Sequence, residues 1–393
     1  MKSMARHWFL IAVALVMLAP AAAMVARAIP LKGPQRFSVA KLAGATPELP
    51  PIEPSLAALR SGALQTSVAA ALTERMGQPR ETFIRINNGM AYALGRSTVP
   101  SIVIGQNRML YETTYIDDWC GRGTPIDAEG QAARIARIAA TVERAGKAFV
   151  FIISPSKVAL YPDSLPEPCT PAASRDYNRL RAALAPYDVR VVDGHTLAQA
   201  AKASQDLPVF NRDGIHWNDL SVYPAIRDTF AVLGEQLDTP PRQLTLSRVE
   251  VDRWPFDDED DLARLLNLPV TLPVYPSPHG RFTTSAEGTP PRLLVVGSSF
   301  MWQFLRILSM NRALGDSKFY FYFSRIVDFR DGGVHESRVP FQAAPDLPRS
   351  LPKTDAVVLE ANETALGSPH IEAFENALAS LTGKGTNGRL PDP

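Results

Sequence analysis

The stretch Arg292 to Phe304 reads RLLVVGSSFMWQF and ends a short apolar run on a glycine and two serines. Leu293 to Val296 is rich in β-branched residues, Gly297-Ser298-Ser299 is turn chemistry, and the residues on to Leu308 have helical periodicity. The stretch therefore predicts strand, tight turn and helix. Ser299 at such a turn is a candidate nucleophile. It would sit at a helix N-terminus, where unpaired N–H groups and the positive end of the dipole face any anion forming on a bound carbonyl, with Gly297 allowing close approach. Serine is also a favoured N-cap and glycine a favoured turn residue, so the serine needs a histidine and a carboxylate from elsewhere in the chain.

Six histidines make that search short. His7 lies in an apolar leader, and His279, His335 and His370 lie in apparent loops, with Glu336 beside His335. His216 belongs to NRDGIHWNDL, where Asp213 stands three residues before it, just ahead of a predicted helix. In a turn or a first helical turn, i and i+3 project to one side. Asp213 could then accept the imidazole Nδ1–H and leave Nε2 for an outside hydroxyl. His195 with Asp193, at the end of the strand VRVV, is a competing pair. The acidic run Asp257 to Asp261, DDEDD, lacks the ligand spacing of a calcium loop and leads into LARLLNL, so it reads as a solvated helix start.

The elements that must position these groups alternate. Ala63 to Tyr92 has a helical pattern, Ser101 to Ile104 is a short strand, and the segment from Gly105 to Cys120 reads as a turn followed by an extended aromatic stretch. Gln131 to Ala145 is an amphipathic helix, Ala148 to Ile153 a buried strand, Tyr177 to Leu184 a helix and Val189 to Val192 a strand. Leu220 to Leu233 is helical, Phe319 to Phe323 extended, Ala356 to Glu360 a strand and Ile371 to Leu381 a closing helix. This pattern predicts an α/β domain with a parallel sheet covered on both faces and sites at the carboxyl ends of its strands. Residues 239–291 read as a long insertion.

With 393 residues, 46% of them hydrophobic, the chain can bury a large core. Its 41 Lys and Arg against 40 Asp and Glu provide no basic field for nucleic acid. No G-x-G-x-x-G follows a strand and no P-loop is present, so no soluble cofactor is expected. Residues 1–26 read as an export signal, because Lys2, Arg6 and His7 precede an apolar run from Trp8 to Ala26. That run, about 28 Å as a helix, is just long enough for a hydrocarbon core of about 30 Å, so it is either a cleaved signal or a retained anchor. Residues 27–60 read as a linker, 61–385 as the domain and 386–393 as a tail. The residues after the leader are expected outside the cytoplasm. Cys120 and Cys169 fit an oxidising compartment as a disulfide or as two buried thiols, and neither has metal-ligand spacing around it.

DGIHWN, LLVVGSSF and AVVLEANET resemble the D-x-x-H, G-D-S and oxyanion-asparagine blocks of SGNH hydrolases. Asp-His precedes the serine here, which is the permuted order of the alginate O-acetyltransferase family, the AlgX/AlgJ type. ETFIRINNGM, IVIGQNRMLYETTYIDDWC, FVFIISPSKVALYPDSLP and DLARLLNLP resemble that family in the same sequence order. The resemblance covers about residues 65–382. It implies an SGNH hydrolase-like three-layer sandwich with a central parallel sheet. It makes Ser299 the nucleophile, His216 the base and Asp213 its partner, with Asn362 near the oxyanion and Arg325, or its rival Arg330, downstream of the serine. Two departures stand out: the family commonly separates Asp and His by one residue, and Ser298 replaces the Asp of G-D-S. The implied activity is acetyl transfer to an exported or cell-surface polysaccharide in the periplasm, with acetyl groups passed on by a membrane-bound acyltransferase. A polysaccharide acetyl esterase with the same triad and a non-catalytic carbohydrate-binding protein are the alternatives.

Overall fold

The central strands Ala148–Ser154, Leu293–Gly297 and Ala356–Asn362 are nearly continuous apolar runs because both of their faces are covered. In the computed structural model, which describes residues 7, 8, 11, 18, 41–44 and 49–382 except 77, 172–174, 254–258, 271–274, 331 and 341–343, the chain forms two compact units. Most of the expected leader, much of the linker and the tail lie outside the described residues. Among the described residues, no helix is long and apolar enough to cross a membrane.

The first unit comprises residues 1–100 together with 263–273. It contains helix α1 (Ala63–Met76) and helix α2 (Gln78–Ala93). Asn88 donates to the Leu266 carbonyl at 2.7 Å, and Gly89 leaves room for Pro269, whose Cδ would lie 2.8 Å from a Cβ there. A distant segment thus closes on these helices.

The second unit, residues 101–262 and 274–393, carries the sheet. It begins with a small antiparallel pair, β1 (Ile102–Ile104) and β2 (Leu110–Glu112), and then α3 (Thr113–Trp119). The helix stands where the sequence pattern predicts extended chain. Next come α4 (Ala128–Arg144), β3 (Ala148–Ser154), α5 (Asp176–Leu184), β4 (Val191–Asp193), α6 (Gly194–Ala203) and α7 (Asp219–Gln236). The region read as an insertion holds an antiparallel ribbon, β5 (Leu244–Asp252) with β6 (Ser277–Thr284), and a short helix, Asp261–Leu265. Then follow β7 (Leu293–Gly297), α8 (Met301–Met310), β8 (Ser317–Phe321), β9 (Arg325–Arg330), β10 (Gly333–Arg338), β11 (Ala356–Asn362) and α9 (Pro369–Thr382).

The main sheet has the order β10-β9-β8-β7-β11-β3-β4. The five strands from β8 to β4 are parallel, and β9 and β10 add an antiparallel edge. Side chains alternate between its two faces. Phe149, Phe151 and Ile153 of β3 share a core with Ile135 of α4, Leu180 of α5 and Phe374 of α9. Val150 and Ile152 share the other core with Ala198 of α6, Ile226 of α7 and Phe304 of α8. The result is a three-layer α/β/α sandwich, and it puts the ends of β7, β11 and β3 side by side.

Strand β8 ends at Phe321, short of the expected Phe323. Tyr322 and Phe323 turn through φ of +47° and +53°, a region that residues other than glycine seldom adopt, and Tyr322 N–H donates to the Gly297 carbonyl at 2.9 Å. Cys120, just past α3, is disulfide-bonded to Cys169 with Cα atoms 5.7 Å apart. Closing a loop of sequence separation 49 corresponds to about 4 kcal/mol in the chain-entropy treatment. Replacing both cysteines by serine should therefore lower unfolding stability by about 2–4 kcal/mol, read from denaturant titration against the oxidised protein.

Candidate active site

The carboxyl end of β7 delivers Ser299 into the turn before α8. Gly297 is required there by contact, because a Cβ on it would lie 2.7 Å from Glu360 Oε2 and 3.0 Å from Met301 Cγ. The Ser298 and Ser299 carbonyls accept from Met301 and Trp302 N–H at 3.2 and 3.1 Å, which starts the helix. Among the described residues, the Ser299 N–H has no hydrogen-bond partner. This leaves it available to an anion at the helix entrance.

His216 reaches the serine from the loop before α7. That loop is pinned on both sides: Phe210 bridges Trp217, Asn218 N–H donates to Val209 at 3.2 Å, and the Asn218 side chain donates to the Pro208 carbonyl at 2.7 Å while accepting from Leu220 N–H. Trp217 Nε1 donates to the Phe300 carbonyl at 2.8 Å, so the neighbours of the two reactive residues are bonded to each other. The Phe300 ring meets the His216 ring edge-on at 5.0 Å. His216 Nε2 then lies 2.7 Å from Ser299 Oγ. Tyr322 OH makes a longer approach to the same oxygen, at 3.5 Å.

The carboxylate beside His216 is Asp261, not Asp213. Asp261 Oδ2 lies 2.9 Å from His216 Nδ1, and its Oδ1 accepts from Ile215 N–H at 2.9 Å and Leu262 N–H at 2.8 Å. The Nδ1 contact is at hydrogen-bond distance but bent, with the N–H off the line to the oxygen. Asp213 is held by its neighbour Arg212, whose Nε lies 2.9 Å from Oδ1. The i to i+3 argument fails because 213–216 precede α7, which begins only at Asp219. Gly214 shows why another segment enters. A Cβ there would lie 2.3 Å from the Glu259 carbonyl oxygen and 3.2 Å from Asp261 Oδ1. Glu259 in turn accepts from Ser277 Oγ at 2.7 Å, anchoring that segment to β6. The sequence signal for Asp261 was the acidic run itself, read as a solvated helix start because nothing in its spacing pointed to His216.

Three other expectations are corrected by where the side chains go. The Asn362 amide donates to the Pro155 carbonyl at 2.9 Å and to Ser154 Oγ at 3.2 Å, and Asn362 Oδ1 accepts from Thr364, so this side chain braces the β3 and β11 ends instead of facing Ser299. Arg325 pairs with Glu336 across the β9–β10 hairpin at 2.9 Å and stacks on Phe321 at 4.2 Å, while Arg330 is exposed at the far end of β9. The competing pair is separate as well. Asp193 caps α6 through Thr196 N–H, and His195 Nδ1 lies 2.8 Å from Glu363 Oε2.

Buried charges surround the pair. Burial opposes ionisation of Asp261, but the hydrogen bond and charge of His216, the Ile215 N–H and Lys157 outweigh it and hold the carboxyl below the usual aspartate range. Lys157 is fully enclosed and donates to the Leu110 carbonyl at 2.9 Å and the Arg212 carbonyl at 3.0 Å, tying β2 to the histidine loop. Burial drives its ammonium down to about 7, against the pull of Asp261 and Asp213. Burial likewise pushes the Glu112 carboxyl up, with Asp261 adding to the rise and the Thr114 hydrogen bond and His216 opposing it.

The sequence family described as an SGNH hydrolase-like domain, acetyltransferase AlgX, matches residues 102–311, just over half of the 393-residue chain. The chain belongs to this acetyltransferase family. It is thus an acyltransferase of the AlgX/AlgJ type, with the SGNH hydrolase-like fold. Among solved structures, the O-acetyltransferase domain of Pseudomonas putida AlgJ is similar at 20% identity and a TM-score of 0.47, over 71% of this chain and 100% of that one. Bacillus cereus PatB1 with a sulfonyl adduct is similar at 11% identity and a TM-score of 0.43, over 69% and 96%. Pseudomonas aeruginosa AlgX is similar at 12% and 0.38, over 73% and 68%. Likeness at these levels carries no further argument. No curated protein sequence matches the chain. Within the family, the departure in Asp-His spacing acquires a physical reason: the position two before the histidine is Gly214, and the carboxylate comes from Asp261.

Asp261→Asn should lower acetyl ester turnover by about 10³–10⁴-fold, whereas Asp213→Asn should stay within about threefold of wild type, both read from initial rates with a chromogenic acetyl ester. Lys157 sets a pH dependence of stability. Between pH about 7 and the ordinary lysine value near 10, the unfolded chain holds a proton that the folded chain does not, so stability from this group rises with pH. The unfolding midpoint should accordingly gain more between pH 7 and 9.5 in wild type than in Lys157→Met.

Proposed function

We propose that this protein is a polysaccharide O-acetyltransferase working through an acetyl-Ser299 intermediate. The observation that carries the reading is the 2.7 Å approach of His216 Nε2 to Ser299 Oγ, backed by Asp261, in a chain of an acetyltransferase family. His216 Nε2 takes the Ser299 hydroxyl proton as Oγ attacks the acetyl carbonyl of the donor. The carbonyl oxygen becomes an oxyanion for which the Ser299 N–H and the nearby Tyr322 hydroxyl are the donors at hand, each donor being worth about 3 kcal/mol. Collapse breaks the bond to the donor's leaving group, which takes the proton from His216. A sugar hydroxyl then attacks acetyl-Ser299, giving its proton to His216, and collapse returns that proton to Oγ as the acetylated sugar leaves. Asp261 holds the imidazole oriented and balances its positive charge while it carries the proton.

The reaction is placed outside the cytoplasm, in the periplasm. The basic start and apolar run at the N-terminus read as an export signal or anchor, and a disulfide between Cys120 and Cys169 suits an oxidising compartment. A membrane-bound acyltransferase that carries acetyl groups across the bilayer is the partner such a reaction needs. The acceptor is an exported or cell-surface polysaccharide, the class implied by the resemblance to the alginate O-acetyltransferase family.

Ser299→Ala and His216→Ala should each reduce acetyl release from a chromogenic ester by about 10⁴-fold or more, and Ser298→Ala should leave most of it. Addition of an acceptor oligosaccharide should divert acetyl from water to sugar, detected by mass spectrometry as a gain of acetyl on the oligosaccharide. Free acetate as the sole product at saturating acceptor would make the protein an esterase instead.

A further inference from the structure

Glu360 is a fully buried carboxyl on β11 whose side chain crosses beneath the end of β7. Its Oε2 accepts the Ser298 N–H at 2.7 Å. Its Oε1 accepts Ser154 Oγ at 2.5 Å and Ser298 Oγ at 3.1 Å. Ser154 closes the last residue of β3 and is bonded in turn by the Asn362 amide, so one side chain ties together the ends of three neighbouring parallel strands. The neighbouring carboxyl Glu363 differs in kind. It has Arg175 at 2.9 Å and His195 at 2.8 Å, whereas the Glu360 carboxyl makes no ion pair among the described residues, its hydrogen-bond donors are serine hydroxyls and the Ser298 N–H, and His216 acts on it only as a more distant charge.

A buried carboxyl without a cation is costly, and a nonpolar side chain of similar volume would serve packing at least as well. Burial pushes the Glu360 carboxyl up against the opposing pull of its serine donors and the more distant His216, which is the electrostatic sign of that cost. What the carboxyl accomplishes is geometric. It fixes the peptide immediately before the nucleophile, and Gly297 is kept bare so that it can lie against the strand end. Ser298 occupies the position where the G-D-S block has an aspartate, and here the acidic group comes from β11.

We propose that Glu360 is a positioning residue for the nucleophile turn, holding Ser299 Oγ in line with His216 through Ser298. The proposal rests on Ser299 being the nucleophile. Glu360 acts through another residue and touches neither donor nor acceptor. Because a misplacement of about 1 Å lowers rate by about 10²-fold, loss of this anchor should fall on turnover rather than on substrate binding.

The test is the rate at which phenylmethylsulfonyl fluoride labels Ser299, followed by mass spectrometry alongside acetyl ester kinetics. Wild type should label at Ser299, and His216→Ala should not. Glu360→Gln should label about 10- to 100-fold more slowly, with kcat reduced to match, KM within about threefold of wild type and the unfolding midpoint retained. Glu360→Gln that labels at the wild-type rate overturns the proposal while the nucleophile reading stands. Should Glu360→Gln not fold, Glu360→Asp, which keeps the carboxyl but draws it back from the Ser298 N–H, decides. A loss of at least about tenfold in labelling supports the anchor, and an unchanged rate overturns it. Wild type that takes no label at Ser299 overturns the nucleophile reading, and the anchor falls with it.

Discussion

The hydrogen bond from the Trp217 indole to the Phe300 carbonyl joins two loops that the chain separates widely. Each partner is next in sequence to a residue of the candidate site, His216 or Ser299. The bond therefore sets the distance between His216 and Ser299 without using either side chain, and both stay free for chemistry. It depends on depth, because Trp217 is fully buried in the core shared by α7 and α8, where an unpaired indole N–H would be penalised. The approach at 2.7 Å follows from packing that begins far from the reacting atoms. In this sense the sandwich core and the catalytic geometry are one structure.

The surrounding carboxyls show three ways of keeping a negative group out of water. Glu363 is matched by Arg175, His195, and the N–H and hydroxyl of Ser156, and these hold its carboxyl below the usual glutamate range despite its burial. Asp261 is matched by an imidazole and two backbone N–H groups and is likewise lowered. Glu360 has serine donors alone and is raised. All three lie near the carboxyl ends of the parallel strands, or on loops packed against them. There, strand-end N–H groups and side-chain donors converge, so charge can be buried with its hydrogen bonds made.

Much of the fold was legible. The apolar runs of β3, β7 and β11 read as buried strands, and the helices α4, α5, α7 and α9 followed from their periodicity to within a few residues. The parallel sheet covered on both faces followed from the alternation of the two. Helix α3 was missed because its aromatic residues look extended when read one by one. The end of β8 was misjudged because the left-handed turn at Tyr322 and Phe323 carries no glycine to announce it.

The sequence by itself determined the Gly-Ser-Ser turn and the histidine loop as local objects. G-S-S after a buried strand and H-W-N before a helix are short-range patterns, and their chemistry resides in adjacent residues. It also established the family resemblance, which depends on the order of such blocks. The tertiary structure alone decided which carboxylate meets His216, where the Asn362 amide goes, and that Arg325 belongs to Glu336. Each of those is a contact between segments far apart in the chain, settled by whether a backbone can lie close enough. At Gly214 the absence of a side chain admits the 259–261 segment, and Asp261 takes the place that spacing had assigned to Asp213.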